Sequence, residues 1–250
     1  MTVRLNLRTI LVANMAGKTK IEWTECSWNP ITGCTKISDG CAHCYAATLT
    51  RRLVAMHNPR YKNGFNVTIH EDLIELPKKW KSPRKIFVNS MSDIFHENVS
   101  DEIILRIFAT MNDCPQHIFQ VLTKRPERLQ KLNSQINWTP NIWMGVTIEN
   151  NKYLYRADLL RHCDAQIKFI SAEPLIGEIN EINLEQIDWL IVGGESGSQA
   201  RPMDISWVRT LRDKAEQENV AFFFKQWGGT VKKKTGRVLD GRTYDEYPQK

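Results

Sequence analysis

Cys34, Cys41 and Cys44 fall within eleven residues of the stretch ITGCTKISDGCAHCYA, and Cys26 lies eight residues upstream. Thiols at this spacing can form a disulfide, bind zinc, carry an iron–sulfur cluster or fill a core. Six cysteines in 250 residues are too few for the disulfide scaffold of a small secreted domain. The N-terminal stretch MTVRLNLRTILVANMAG places Arg4 and Arg8 before an apolar run too short for a secretory signal. Residues 1–19 therefore read as a leader or N-terminal extension, with Met15 as an alternative start. No run is long and apolar enough to span a bilayer. A cytoplasmic location is expected, where thiols stay reduced and metal binding gains weight over disulfides.

The loop has the form Cys34-x6-Cys41-x2-Cys44, contains Gly33 and Gly40, and runs into a helix expected over residues 45–57. Glycines let a backbone wrap tightly around an ion, and a helix N-terminus favours anionic thiolates. Structural zinc takes four ligands, so Cys26 or His43 would have to supply the fourth. An iron–sulfur cluster usually takes four thiolates as well; three would leave one iron open to a substrate or cofactor. Cys114 and Cys163 lie near helix ends and read as packing thiols. Trp23 and Trp28 are expected to shield the cysteine loop.

The elements that must position this loop are legible from residue 86 onward. Short apolar runs begin at Ile86, Ile118, Ile142, Ile167, Trp189 and Val220. They are rich in β-branched and aromatic residues and nearly continuous in apolarity, as strands buried on both faces are. Helical stretches fill the gaps: Ser100 precedes an apolar-striped segment, Pro126 suits a first helical turn, NKYLYRADLLRHC reads as a helix, and Asp204 or Ser206 caps the last one. This alternation predicts an α/β fold with parallel strands, a partial or full TIM-like (βα) barrel. One domain is expected over 20–230, with the cysteine-cluster loop at 26–45 and a basic, irregular tail at 231–250.

Each predicted strand ends in polar, charged or glycine-rich residues: NSMSD, TKRP, TIEN, SAEP, GGESG and KQWGG. In α/β barrels the loops after the strand C-termini build the site, so a shared ligand mouth is expected. Glu149, Glu173 and Glu195 at three successive ends would accept hydrogen bonds from a ligand, or else pair with a cation such as Lys124 or Arg125. Lys124, Arg125, Lys225 and Gln226 are further candidates for binding a substrate. The formal net charge is +6, and residues 51–85 carry nine Lys or Arg against Glu71, Asp72 and Glu75. With Tyr61, Phe65 and Trp80 interleaved, and VKKKTGR near the end, that window suits a nucleic-acid partner, although a solvated basic face has the same composition.

A three-cysteine loop, a helix and a run of βα units resemble the radical-SAM superfamily, whose usual loop is C-x3-C-x2-C; the first gap here is six residues. More of the chain is similar to a bacteriophage-associated family of uncharacterised three-cysteine-motif proteins. The matching stretches are KIEWTECSWNPITGC, GCAHCYA, FVNSMSDIFH, VLTKRP, MGVTIEN, SAEPLIG, VGGESG and FFKQWGG. The resemblance implies a 4Fe–4S cluster on Cys34, Cys41 and Cys44, S-adenosylmethionine on the open iron, and an electron donor. It places His43 near the adenine and puts Asn89, Ser90, Ser92 and Asp93 where the superfamily has a glycine–glycine–glutamate element. Asp93 would then accept from the ammonium group, while Gly193 and Gly194 would let backbone approach the ligand. The alternative reading is a non-enzymatic, zinc-containing nucleic-acid-binding protein.

Overall fold

The computed structural model describes residues 16–249. The leader expectation falls mostly on residues 1–15, and with Met15 it lies outside the described residues. Among the described residues there are ten strands: β1 (Ala16–Lys18), β2 (Cys26–Trp28), β3 (Ile31–Thr32), β4 (Thr68–Ile69), β5 (Lys85–Val88), β6 (Ile118–Thr123), β7 (Ile142–Thr147), β8 (Ile167–Ala172), β9 (Trp189–Gly193) and β10 (Ala221–Gln226). The main sheet has the order β1-β2-β5-β6-β7-β8-β9-β10. From β2 to β10 every pairing is parallel, and β1 adds an antiparallel edge. The architecture is thus α/β, with seven parallel strands and an open sheet, the partial form of the expected barrel. All six predicted runs form strands. The sequence reading missed β2, whose three residues are too few to show a pattern.

The helices that return the chain are α1 (Tyr45–Ala55), α2 (Asp101–Asn112), α3 (Pro126–Leu132), α4 (Tyr155–Arg161) and α5 (Ile205–Gln217), with shorter turns between. Ser100 caps α2 by accepting from the Ile103 N–H at 3.4 Å, and Pro126 opens α3. Asp204, rather than Ser206, caps α5. The helix expected from Asn151 instead starts as a 3-10 turn over Asn151–Tyr153, and α4 follows it.

The sheet is strongly curled. Trp23, just ahead of β2, has its ring 6.1 Å from that of Trp189 on β9. Five strand spacings separate those strands, roughly 24 Å if the sheet were flat. The concave face is filled by Trp23, Phe87, Trp143, Phe169, Trp189 and Phe223. The convex face packs against the helices through Ile, Leu, Val and Phe side chains in a second, larger core. The tail after β10 is irregular but integral. Leu239 and Tyr244 are buried, the Phe224 N–H donates to the Tyr244 carbonyl at 3.0 Å, and Tyr247 packs on Trp189. These contacts cover the outer edge of β10, an exposed strand edge being a liability for aggregation. Among the described residues no helix is long and apolar enough to cross a membrane.

Trp189 is fully buried and touches Trp23, Trp143, Phe169, Phe223 and Tyr247. Replacing it with alanine should lower the unfolding free energy by about 3–5 kcal/mol, as for other buried aromatic truncations, measured by urea denaturation.

Candidate functional site: a cysteine-lined cavity at the strand ends

A cavity of about 410 Å³ opens where the parallel strands end. Its floor is apolar, formed by Ile21, Trp23, Phe87 and Leu122, and its rim carries all three loop cysteines. The end residues of β5, β6, β8, β9 and β10 reach it, so the shared mouth read from the sequence exists. Cys34, Cys41 and Cys44 are free and half-buried, whereas Cys26, Cys114 and Cys163 are buried in the packed interior. Cys26 is part of β2 and aims its Sγ at the Lys85 carbonyl, 3.7 Å away, so it does not supply the fourth ligand that the zinc reading needs. Among the described residues, no three His, Cys, Asp or Glu converge tightly enough to hold a single metal ion. A multi-iron cluster does not need that convergence, because its thiolates bind different irons. Three thiols spread over one loop and facing one cavity therefore fit a cluster better than zinc.

The loop lies across the strand ends and is fastened there. Glu149, at the end of β7, is wholly buried and accepts hydrogen bonds from three groups: Ser38 Oγ at 2.5 Å, Lys124 Nζ at 2.7 Å and Arg156 at 2.9 Å. Gly40 sits so close that a Cβ there would come within 2.6 Å of the Glu149 carboxylate. Glu195, after β9, accepts from the Arg201 backbone and guanidinium at 2.5 to 2.9 Å and from His43 Nδ1 at 3.1 Å. Arg201 also donates to the Asp39 carbonyl at 3.1 Å, which ties the loop to β9. Burial alone would raise the Glu195 carboxyl, but Arg201 and His43 hold it down at about 2.

Arg125 fastens the start of the loop. Its guanidinium donates to Asp93 at 3.2 Å, Glu97 at 3.0 Å, Thr35 Oγ1 at 2.9 Å and Cys34 Sγ at 3.6 Å. His96 accepts the Asn98 N–H at Nδ1, so its Nε2 carries the proton and donates to Thr35 Oγ1 at 2.9 Å. Burial, reinforced by Asp93, pushes the Cys34 thiol up to about 11 despite Arg125. Burial would also raise Cys41, but hydrogen bonds from Ser38 and the Ile37–Ser38 backbone, together with Lys124, hold it below its ordinary value. Gly33 has φ +88°, and a Cβ there would collide with the Asn66 carbonyl, so the loop can enter the site only through glycine.

The predicted ligand residues divide into those the protein already uses and those left open. Asp93 accepts from Thr123, Phe95, Lys124 and Arg125, which commits its oxygens to holding the loop after β6. Ser90 and Ser92 donate to Asn29 Oδ1 and the Ile31 carbonyl, and Glu173 pairs with Lys225. Each of the three strand-end glutamates thus has a cationic partner. Gly194 lines the cavity and also abuts the Trp227 carbonyl, where a Cβ would come within 2.1 Å, so its smallness serves the packing of one loop on another. Gly193 faces Glu173 and Lys225 side chains.

Three cavity-lining side chains are different, the first being Trp23, whose buried Nε1 has no hydrogen-bond partner. Asn89 follows β5 at φ +62°, is buried and lines the cavity, yet neither amide atom has a hydrogen-bond partner. Gln226 ends β10, donates to Ser196 Oγ at 2.6 Å and leaves its buried Oε1 unpartnered. Buried polar groups are nearly always paired; unlike the unpartnered atoms of Gln120, Trp143 or His117, these three side chains face a cavity in which a ligand could complete them. Trp28, expected beside the cysteines, instead packs on Phe119 in the outer core and donates to the Leu73 carbonyl at 2.7 Å; Trp23 alone lines the cavity. The reading of the sequence missed Ser38, which meets Glu149 across 111 residues, Arg201, which reaches Asp39 across 162, Arg156, only seven residues from Glu149, and His96, for which FVNSMSDIFH offered a cue.

The chain belongs to the family described as "Protein of unknown function (DUF5131)", which matches residues 18–248. No curated protein matches the chain. Among solved structures it is similar to "Spore photoproduct lyase complexed with dinucleoside spore photoproduct", at 12% identity and a TM-score of 0.47. That similarity covers 80% of this chain, which spans 66% of the other protein's length.

Removing the Glu149 carboxylate leaves Arg156 buried beside an uncompensated gap. Glu149→Ala should cost about 3–5 kcal/mol of stability in denaturant titration, as breaking other buried pairs does. The depressed Glu195 carboxyl contributes stability that is fully present above its ordinary value of 4.5 and is lost as pH falls towards 2. The difference in urea midpoint between the native chain and Glu195→Gln should therefore be constant near neutral pH and shrink steadily below about pH 4.5.

Proposed function

We propose that the protein is a radical-SAM-type iron–sulfur enzyme that cleaves S-adenosylmethionine to begin radical chemistry on a substrate held in the cavity. The observation that carries this reading is the union, in one cavity at the ends of parallel strands, of three half-buried free thiols and an unpartnered Asn89 amide. Cys34, Cys41 and Cys44 would hold a 4Fe–4S cluster. When bound, that cluster supplies the electron that cleaves S-adenosylmethionine, and so the hard part of the chemistry.

The chain's own residues bind, orient and exclude water. Asn89 offers one donor and one acceptor site to S-adenosylmethionine from the end of the second parallel strand. His43, held by Glu195, stands beside Cys44 at the rim, where it can flank the cofactor's adenine. Arg125 places a guanidinium on the Cys34 sulfur and compensates part of the negative charge a thiolate-bound cluster brings into a half-buried site. Lys124 does the same near Cys41. Trp23, Phe87 and Leu122 keep the floor apolar, so a reactive radical there would be shielded from bulk water. No general base or nucleophile is required.

Anaerobically purified protein is expected to contain about four irons and four sulfides per chain, the content of one [4Fe–4S] cluster. Cys34→Ala, Cys41→Ala and Cys44→Ala should each lose them, while Cys114→Ala and Cys163→Ala retain them. About one zinc without sulfide would instead support the zinc-protein reading.

A further inference from the structure

Between Asp39 and Glu71 the chain has no acidic residue, yet it carries Arg51, Arg52, Arg60 and Lys62. Arg60 is neutralised by Asp72, 2.6 Å away. Arg51, Arg52 and Lys62 are exposed and have no ion pair among the described residues. In the more C-terminal part of the basic window Lys78 pairs with Glu75 and Asp113 and Arg84 lies over Trp80, while Lys79 and Lys81 are exposed without an ion pair among the described residues. Tyr61 is buried and cannot stack a base. Arg51 and Arg52 are thus free positive charges on α1, the helix that starts immediately after Cys44.

Helix α1 also presents an aromatic ring at the rim. Tyr45 lines the cavity and is 53% exposed, while its hydroxyl donates to the Ser90 carbonyl. The ring is thus pinned at one end and open on its face. Arg51 and Arg52 follow six and seven residues later, about 9–11 Å along the helix axis. Leu49 and Met56, also exposed, share the Tyr45 side of α1 but are interrupted by Arg52, so no continuous apolar patch suited to a protein partner forms. Inside the cavity, the buried Gln226 Oε1 is an acceptor still without a donor.

We propose that the mouth accepts a single-stranded nucleic acid. Arg51 and Arg52 hold its phosphates, Tyr45 stacks a base at the rim, and a neighbouring base enters the cavity and donates from its edge to Gln226. A positive track beside an exposed aromatic is how single strands are bound with little sequence preference. The inference rests on the enzyme reading for the role of the cavity and adds to it the class of substrate.

The test is fluorescence anisotropy of a labelled dT oligomer of about 12 nucleotides, within the span of single-strand sites. It uses anaerobically purified protein, with iron and sulfide measured on every sample. Binding should be saturable and weaken linearly in log–log dependence on salt. The double variant Arg51→Glu/Arg52→Glu should bind at least about tenfold more weakly and lower the salt slope by about 1.4, the value for two lost phosphate contacts on a single strand. Tyr45→Ala should weaken binding about tenfold, and Tyr45→Phe, which keeps the ring but loses the bond to Ser90, should bind like the native chain. Absence of binding at low salt overturns the proposal. So does an unaffected arginine variant, a Phe variant as weak as the Ala variant, or a duplex that competes as well as the strand. Iron-loaded protein without oligonucleotide binding would remove the substrate class alone. Binding by protein that holds no iron or sulfide would instead remove the enzyme reading.

Discussion

The buried carboxylate of Glu149 is the constraint on which the site depends. A charge with no exposed surface is tolerable only when its hydrogen-bonding capacity is filled. Here it is filled by a serine from between the cysteines, a lysine from the end of β6 and an arginine from α4. The same bonds that satisfy Glu149 force the cysteine loop to lie across the strand ends. Electrostatic necessity in the core thus becomes positional order at the rim.

The remaining contacts repeat this design at other strand ends. Asp93 gathers Arg125 and the backbone after β6, Glu195 gathers Arg201 and His43, and Glu173 gathers Lys225. Each pair joins one strand end to a neighbour or to the loop. The polar residues at the strand ends are therefore chiefly a framework. What faces the cavity beside this framework is three free thiols and three side chains with unpartnered buried atoms, Trp23, Asn89 and Gln226. Above the aromatic floor the dielectric is low, so any charge or hydrogen bond in that cavity acts more strongly than it would in water.

The parallel sheet was legible in the sequence because strands buried on both faces leave unbroken apolar runs, from Ile86 to Phe224. The cysteine loop was legible from residue type and spacing. The strand β2 was not, since three residues that include a cysteine carry no period. Nor were the clamps: Ser38 meets Glu149 across 111 residues and Arg201 meets Asp39 across 162, separations at which local pattern says nothing. For the same reason the glutamates could be singled out by position, but whether they faced a ligand or a cation depended on partners brought in by folding. Gly194 shows the other limit, because a glycine needed for close approach looks the same in sequence whether the approaching group is a cofactor or the Trp227 carbonyl.

If, as proposed, the framed thiols serve S-adenosylmethionine chemistry, the most direct measurement is the product of that chemistry. Iron-loaded protein, reduced with dithionite under anaerobic conditions and given S-adenosylmethionine, should release 5′-deoxyadenosine and methionine, and Cys44→Ala treated identically should release neither. A fully loaded and fully reduced native protein that leaves S-adenosylmethionine intact would contradict the account.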